Sequence, residues 1–541
     1  MLGSCANKMS NAVRDGGETS SAGDDSRSAT LDVSAEELRG LARLFNDLAA
    51  EYLSEPEALP VFPETSSGRV TKLFERELPA EPVGLEALAR DCREVLRHSR
   101  QNGHPRMFGY VASPAAPAGA YATLLASALN SNVTSWRSAP SATAVEKAAV
   151  RWLAEMIHYA GAGVNESCGG LLTSGGSTAN LNALFVAHRS KAREFAKGDD
   201  AAAASRDPSR AGLWGAGPPM TVYASDQVHL SIPKAADVLG LGRDHVRVVP
   251  SDSDFKIDVR ALRELVDSDA GRGLRPFCVV ASAGTVSTGA VDPLAEVARV
   301  ARERSLWFHV DGAYGALAAS VESKRALFER LDEADSVSLD PHKWLYTPLD
   351  CGCLLYREPV RAREAFAGTE EGYIKVFEQG EEEAHAFWDY GVELSRPFRA
   401  LKVWAILSYY GARRVSASIG EDCALAEYMA ARVEASEDFE LLAPVSLGIC
   451  CFRYAPASLR NESEESGDDD ERERADARLD ELNARVMRRV QRGGEAYVSN
   501  AVLRARFALR ASITNFRTTR RDVDLTLDAV RRAAEGVMSD E

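Results

Sequence analysis

No stretch of this chain approaches eighteen consecutive apolar residues, so nothing in it reads as a membrane span. Positive charge is in short supply: 64 Lys and Arg stand against 80 Asp and Glu, a formal net charge of −16. That balance excludes a general nucleic-acid surface, which needs a basic stripe. There is no Cys-x-x-Cys pair and no His/Cys cluster with zinc spacing, so no metal is expected. The nine cysteines are scattered, and Cys351, Cys353, Cys450 and Cys451 fall inside apolar strand-like runs. They read as buried free thiols of a cytoplasmic protein. The opening Met1-Leu-Gly-Ser-Cys-Ala lacks the charged and apolar regions that precede a lipoprotein cleavage site. Residues 1–30, rich in Ser, Gly, Asp and Ala without periodicity, therefore read as a disordered tail. Neither a Walker Gly-Lys-Ser nor a Gly-x-Gly-x-x-Gly fingerprint is present.

What is present is a chain of 541 residues, 45% hydrophobic, enough for a large core and two or three packed lobes. Ser34-Ala-Glu-Glu-Leu carries a capping signature, and Leu38, Leu41, Leu44, Phe45, Leu48 and Tyr52 follow at helical spacing. Pro60, Pro63 and Pro79 break an extended arm before a second helix from Leu85 to about His98. An Ala-rich helix (Tyr121 to Leu129) and another after Ala139-Pro-Ser lead into Leu171-Leu-Thr-Ser-Gly-Gly-Ser-Thr-Ala-Asn180. There, glycines and hydroxyls stand where a helix begins, which is where a phosphate finds close backbone and a positive dipole end. Later strand-like runs end in Ser225-Asp-Gln-Val-His229 and in Ala-Ser-Ala-Gly-Thr285. Residues 194–219 read as a surface insertion, Tyr373 to Tyr390 as a mobile loop, and 458–476 as an acidic solvated insertion.

Two strand ends matter most. Ser336-Val-Ser-Leu-Asp-Pro-His-Lys-Trp344 stops a short apolar strand at Pro341 and then presents His342 and Lys343. Leu306-Trp-Phe-His-Val-Asp-Gly-Ala-Tyr314 ends a second strand on Asp311, 32 residues before that lysine. If Leu317 to Ala334 is a helix, the segment is one strand–helix–strand crossover with both strands pointing the same way. Asp311 and Lys343 then emerge on one sheet edge. A lysine at a buried strand end is costly unless it is paired or used, and one such use is imine formation with an aldehyde cofactor.

His-Val-Asp311-Gly-Ala-Tyr with Asp340-Pro-His-Lys343-Trp resembles the pyridoxal-dependent decarboxylases of the aromatic-amino-acid, glutamate and histidine group. The resemblance runs from about Leu38 to Ala534. It implies an α/β fold of the fold type I, aspartate-aminotransferase-like class: a large, mixed, mostly parallel seven-stranded sheet between helices. It further implies an N-terminal helical dimerisation arm (31–110), a large cofactor domain (111–411) and a small α+β domain (412–541). Pyridoxal 5'-phosphate would be bound by Lys343 as a Schiff base and by Asp311 at the pyridine nitrogen. His229 would stack on the ring and Ala313 would pack beneath it. Gly175, Gly176 and Ser177 would anchor the phosphate, with Thr285 and His342 close by. Lys343, His229 and Asp311 are the expected catalytic residues. The implied reaction is decarboxylation of an L-amino acid to its amine in a homodimer, with no nucleic acid or membrane as partner.

Three departures from the pattern stand out. Counting back from Arg396-Pro-Phe398 without gaps puts Phe387 where the family has a proton-donating loop tyrosine, with Tyr390 the nearby substitute. A phenylalanine there implies the alternative product, an aldehyde formed by oxidative decarboxylation. Asn132, Thr134 and Val111 fall near pocket positions that are apolar or aromatic in the family, and Asp340 replaces a common asparagine. A carbon–carbon lyase and a non-catalytic dimeric scaffold are the other readings, separable by product and by a missing cofactor absorbance band.

Overall fold

The computed structural model describes residues 31–160, 168–198, 212–213, 218–366, 385–460 and 469–540. Strands among these are β1 (Met107–Phe108), β2 (Gly169–Thr173), β3 (Met220–Ser225), β4 (Val246–Val249), β5 (Arg275–Ser282) and β6 (Trp307–Asp311). They continue with β7 (Ser336–Leu339), β8 (Gly352–Tyr356), β9 (Phe439–Leu441), β10 (Ile449–Tyr454), β11 (Tyr497–Leu503) and β12 (Arg506–Ser512). Seven form the large sheet in the order β2-β8-β7-β6-β5-β3-β4. β4, β3, β5, β6 and β7 run parallel, and β8 is antiparallel to both its neighbours. This is the expected mixed, mostly parallel sheet of seven strands. β5, β6 and β7 are almost wholly buried, as parallel strands covered by helices on both faces must be. Their register sets Asp311 between Ser282 and Ser338 at the C-terminal edge.

The second sheet, β1-β11-β12-β10-β9, belongs to the C-terminal part, with one exception. β1 comes from residues 107–108, inside the expected arm, and pairs parallel to β11. The arm is thus stitched to the C-terminal sheet rather than ending before it.

Helices form where periodicity and caps agree. Ser34 caps Ala35–Ser54 in a reciprocal box with Glu37. Gly84–Arg97 and Pro117–Leu129 lie close to where the spacing puts them, and Ala400–Tyr410 and Arg520–Ser539 are further helices. Three segments differ. Ser67–Phe74 is helical within the expected extended arm, capped by Ser66. Asp469–Gly493 is a helix where the acidic insertion was expected to continue as loop. It buries Ala475, Leu479, Leu482, Val486 and Val490 at helical spacing beneath the charges. Leu317–Ala334 is not one helix but three short 3-10 turns, Ala316–Ser320, Glu322–Phe328 and Leu331–Glu333. Ala316 to Ala319 are all buried, leaving no polar face, while Val321 is extended and Arg330 is left-handed at φ 66. The expected tail, most of the 194–219 insertion and 367–384 of the expected mobile loop lie outside the described residues. Among the described residues no helix is long and apolar enough to cross a membrane, and no His/Cys/Asp/Glu group is arranged to hold a metal.

Candidate active site

The parallel strands deliver their C-terminal ends to a cavity of about 680 Å³. Lys343 reaches it from the short helix Pro341–Trp344 that follows β7. Its Nζ lies 2.8 Å from Asp340 Oδ2. Asp340 is buried, and its Oδ1 has no hydrogen-bond partner. His342 lines the same wall and accepts the Cys351 N–H at Nδ1 (3.3 Å). Burial holds this imidazole below its ordinary pKa, so it is neutral at physiological pH.

Across the cavity, Ser174, Gly175, Gly176 and Ser177 form the turn that opens the helix Gly176–Gly198. The first N–H groups of a helix have no partner within it, and here the residues that carry them line the cavity. A Cβ on Gly176 would stand 2.8 Å from Ala313 Cβ and 3.1 Å from Asp340 Oδ2, so only glycine keeps that cradle open. Gly312 is equally constrained, since a Cβ there would meet the Ser338 carbonyl at 2.8 Å. That contact lets the Asp311 turn fold tightly against β7.

Asp311 sits just behind the lining, 7% exposed, on the cavity floor. Its carboxylate accepts from Asn180 Nδ2 (2.9 Å), Ser338 Oγ (3.2 Å) and the Ala313 N–H (3.2 Å). His229 lines the cavity opposite, with Nδ1 accepting the Ser231 N–H (3.1 Å) and 2.8 Å from Ser231 Oγ. Seven expected residues therefore share the wall: Lys343, His342, His229, Ala313, Gly175, Gly176 and Ser177. Thr285 does not. Its hydroxyl turns back to Thr288 Oγ1 (2.9 Å) and the Ala290 N–H (3.1 Å), while its neighbours Gly284 and Val286 line the cavity.

The sequence reading missed Arg510 and Asn180. Arg510 comes from β12, is buried, and reaches the cavity with Nε on the Val286 and Ser287 carbonyls. One of its guanidinium nitrogens, Nη2, is buried without a partner. No local motif marks it. Asn180 left a trace: it stands in one stripe with buried Ala183, Leu184 and Ala187, a polar residue on an apolar helix face.

A family model described as the pyridoxal-dependent decarboxylase conserved domain matches residues 67–455. The chain belongs to that family. Its reaction is the pyridoxal-phosphate-dependent decarboxylation of an L-amino acid, on a fold type I scaffold. An aromatic-L-amino-acid decarboxylase of Bacillus atrophaeus is 32% identical over 94% of this chain and 98% of its own length. A 4-hydroxyphenylacetaldehyde synthase of Rhodiola rosea is 28% identical over 93% of this chain and 96% of its own. The crystal structure of Oryza sativa TDC with PLP and tryptamine matches with a TM-score of 0.83, at 28% identity, over 94% of this chain and 100% of that one. The cavity fits the cofactor: an amine on one side, a buried carboxylate below, and a glycine cradle at a helix start for an anion.

The family comparison leaves the two loop aromatics to the geometry. Phe387 is 1% exposed, buried within its own chain under the Arg396 guanidinium (4.2 Å to the ring centre). Its N–H is bonded to the Thr134 carbonyl (2.8 Å). Tyr390 stacks on His385 at 5.2 Å. Neither lines the cavity of the single chain, and the relatives include both amine-forming decarboxylases and aldehyde synthases. Asn132 and Thr134 also stay out of the cavity: Asn132 Oδ1 accepts the Arg396 N–H (2.9 Å) and Thr134 serves Phe387. Of the three doubtful pocket positions only Val111 lines it.

Proposed function

We propose that this decarboxylase acts on an aromatic L-amino acid and releases the amine, as a cytoplasmic homodimer. The observation that carries the site is Lys343 and Asp311 brought together at one sheet edge from 32 residues apart. Bound pyridoxal phosphate supplies an aldehyde for the substrate amine and a conjugated ring that accepts the electron pair left when CO2 departs. Lys343 holds the cofactor through its amine. Asp311, fixed by three donors, would hold the proton of the pyridine nitrogen by a charge-assisted hydrogen bond. His229, Val111 and Val286, all in the cavity lining, would shield the bound ring from water. The helix N-terminus at Gly175–Ser177 binds the phosphate.

Support for the aromatic side chain comes from the named relatives and from Tyr110 and Val111 at the cavity mouth. Support for a dimer comes from Tyr121, Leu124, Leu125 and Leu129, exposed together on one face of Pro117–Leu129. The eight described cysteines are all free, consistent with a reducing compartment.

The test is a product assay on purified protein with L-tryptophan, L-tyrosine, L-phenylalanine and L-glutamate, reading amine, aldehyde, CO2 and peroxide. Amine and CO2 from the aromatic acids are expected; turnover of glutamate alone would overturn the substrate class. Aldehyde with CO2 and peroxide would instead support the alternative that rests on Phe387 in the loop-tyrosine position, and Phe387→Tyr should then shift the product toward amine.

A further inference from the structure

In the cavity lining, one amide bonds to Asp311 and to two residues beside the cofactor-facing side chains, His309 and Ser231. Asn180 is 1% exposed and all its polar atoms are used. Its Oδ1 lies 3.0 Å from His309 Nε2, and its Nδ2 donates both to Asp311 Oδ2 (2.9 Å) and to Ser231 Oγ (2.9 Å). The amide orientation is not arbitrary: turned over, it would set Oδ1 against the Asp311 carboxylate, two acceptors at 2.9 Å.

The partners on either side are fixed in turn. Ser336 Oγ accepts from Trp307 Nε1 (2.9 Å) and lies 2.9 Å from His309 Nδ1, which is also 3.2 Å from the Ser336 carbonyl. Because Asn180 Nδ2 donates to the Asp311 carboxylate, Asn180 Oδ1 has to accept. That leaves the Nε2–H of His309 for Asn180. Burial depresses His309 to a pKa of about 4, so the ring is the neutral tautomer this chain of bonds requires. On the far side Ser231, having accepted from Asn180, donates to His229 Nδ1 (2.8 Å). The proton of His229 is then on Nε2.

We propose that Asn180 is the positioning residue of this site, a single amide held by Trp307, Ser336 and His309 that orients both Asp311 and, through Ser231, His229. The same helix that begins at the phosphate cradle carries Asn180 one turn later, so cradle, carboxylate and imidazole share one rigid reference. The inference rests on the cofactor placement given under the proposed function, and its test separates the two.

Protein is loaded with pyridoxal phosphate labelled with 15N in its ring, and two quantities are read: the ring-nitrogen chemical shift against pH, and the cofactor dissociation constant. Asn180→Leu should move the ring-nitrogen signal toward that of an unprotonated pyridine and weaken cofactor binding by about tenfold or more, the loss of one to two buried hydrogen bonds. Ser231→Ala should leave the ring-nitrogen signal in place. Leu184→Ala, on the same buried helix face, should lower the melting temperature without moving the signal, which separates positioning from mere stability. Should Asn180→Leu fail to fold, His309→Leu is expected to shift the signal and His309→Gln, which keeps an N–H donor, to restore it. A ring-nitrogen titration superimposable on wild type, with affinity within about twofold, in a folded Asn180→Leu or His309→Leu protein overturns the inference. An unmoved signal in Asp311→Asn instead overturns the cofactor placement itself.

Discussion

Asp340 shows how much one residue can alter a site built from common parts. It stands where the family often has asparagine, its Oδ2 pairs with Lys343, and its Oδ1 is buried with nothing to accept. A second negative charge therefore borders the cradle in which the cofactor phosphate belongs. Asp340→Asn should tighten pyridoxal phosphate binding by about tenfold, about 1.4 kcal/mol of relieved repulsion. Binding of pyridoxal, which lacks the phosphate, should hardly change. Fluorescence titration of the cofactor-free protein checks this; weaker binding of both would show that the Lys343 pair dominates instead. Lys343 and Asp311 were legible in the sequence because each ends an apolar strand, where a charged side chain needs a purpose. Asn180 and Arg510 were not, because their partners lie 51 to 131 residues away for one and up to 400 for the other. Thr285 was expected near the cofactor from the family resemblance; its hydroxyl is spent inside its own turn.

Between elements, the lysine-bearing helix is tied to the C-terminal part by a buried acid. Asp422, on the helix Ala412–Glu434, accepts from Trp344 Nε1 (3.0 Å) and Tyr346 Oη (2.8 Å). Burial pushes its carboxyl up to about 8 in spite of those bonds. The unfolded chain loses this proton near the ordinary carboxyl value of about 4, whereas the folded chain keeps it until about 8. The folded state thus holds more protons across that window, and the stability contributed falls as pH rises through it. Asp422→Asn has no such proton to lose. Relative to wild type, its melting temperature should improve on going from about pH 5 to about pH 8; an unchanged difference would contradict the assignment. Element type was readable where spacing and cap agreed, as at Ser34. It was not readable at Asp469–Gly493, where charges dilute a buried stripe, nor at Ala316–Glu333, where four consecutive buried residues leave no period to detect.

At the scale of the whole molecule, the seven-stranded sheet is complete within one chain, but the surface does not look finished as a monomer. The apolar face of Pro117–Leu129 and exposed Leu38 and Phe45 on the arm helix are surfaces that a second copy would cover. Sedimentation should give about twice the 58.5 kDa chain mass, and Leu125→Asp should return it to the monomer. A monomeric wild type would contradict the dimer. The pairing of β1 with β11 was not legible in the sequence: a two-residue strand carries no pattern of its own, and only its partner reveals it. The measurement that bears most directly on the central claim is release of labelled CO2 from carboxyl-labelled L-tryptophan, L-tyrosine and L-phenylalanine by cofactor-loaded wild type and by Lys343→Ala. The account predicts CO2 with matching amine from wild type, and at least about a thousandfold less from the variant while it stays folded. Equal release from Lys343→Ala, or none from wild type with any of the three acids, would contradict it.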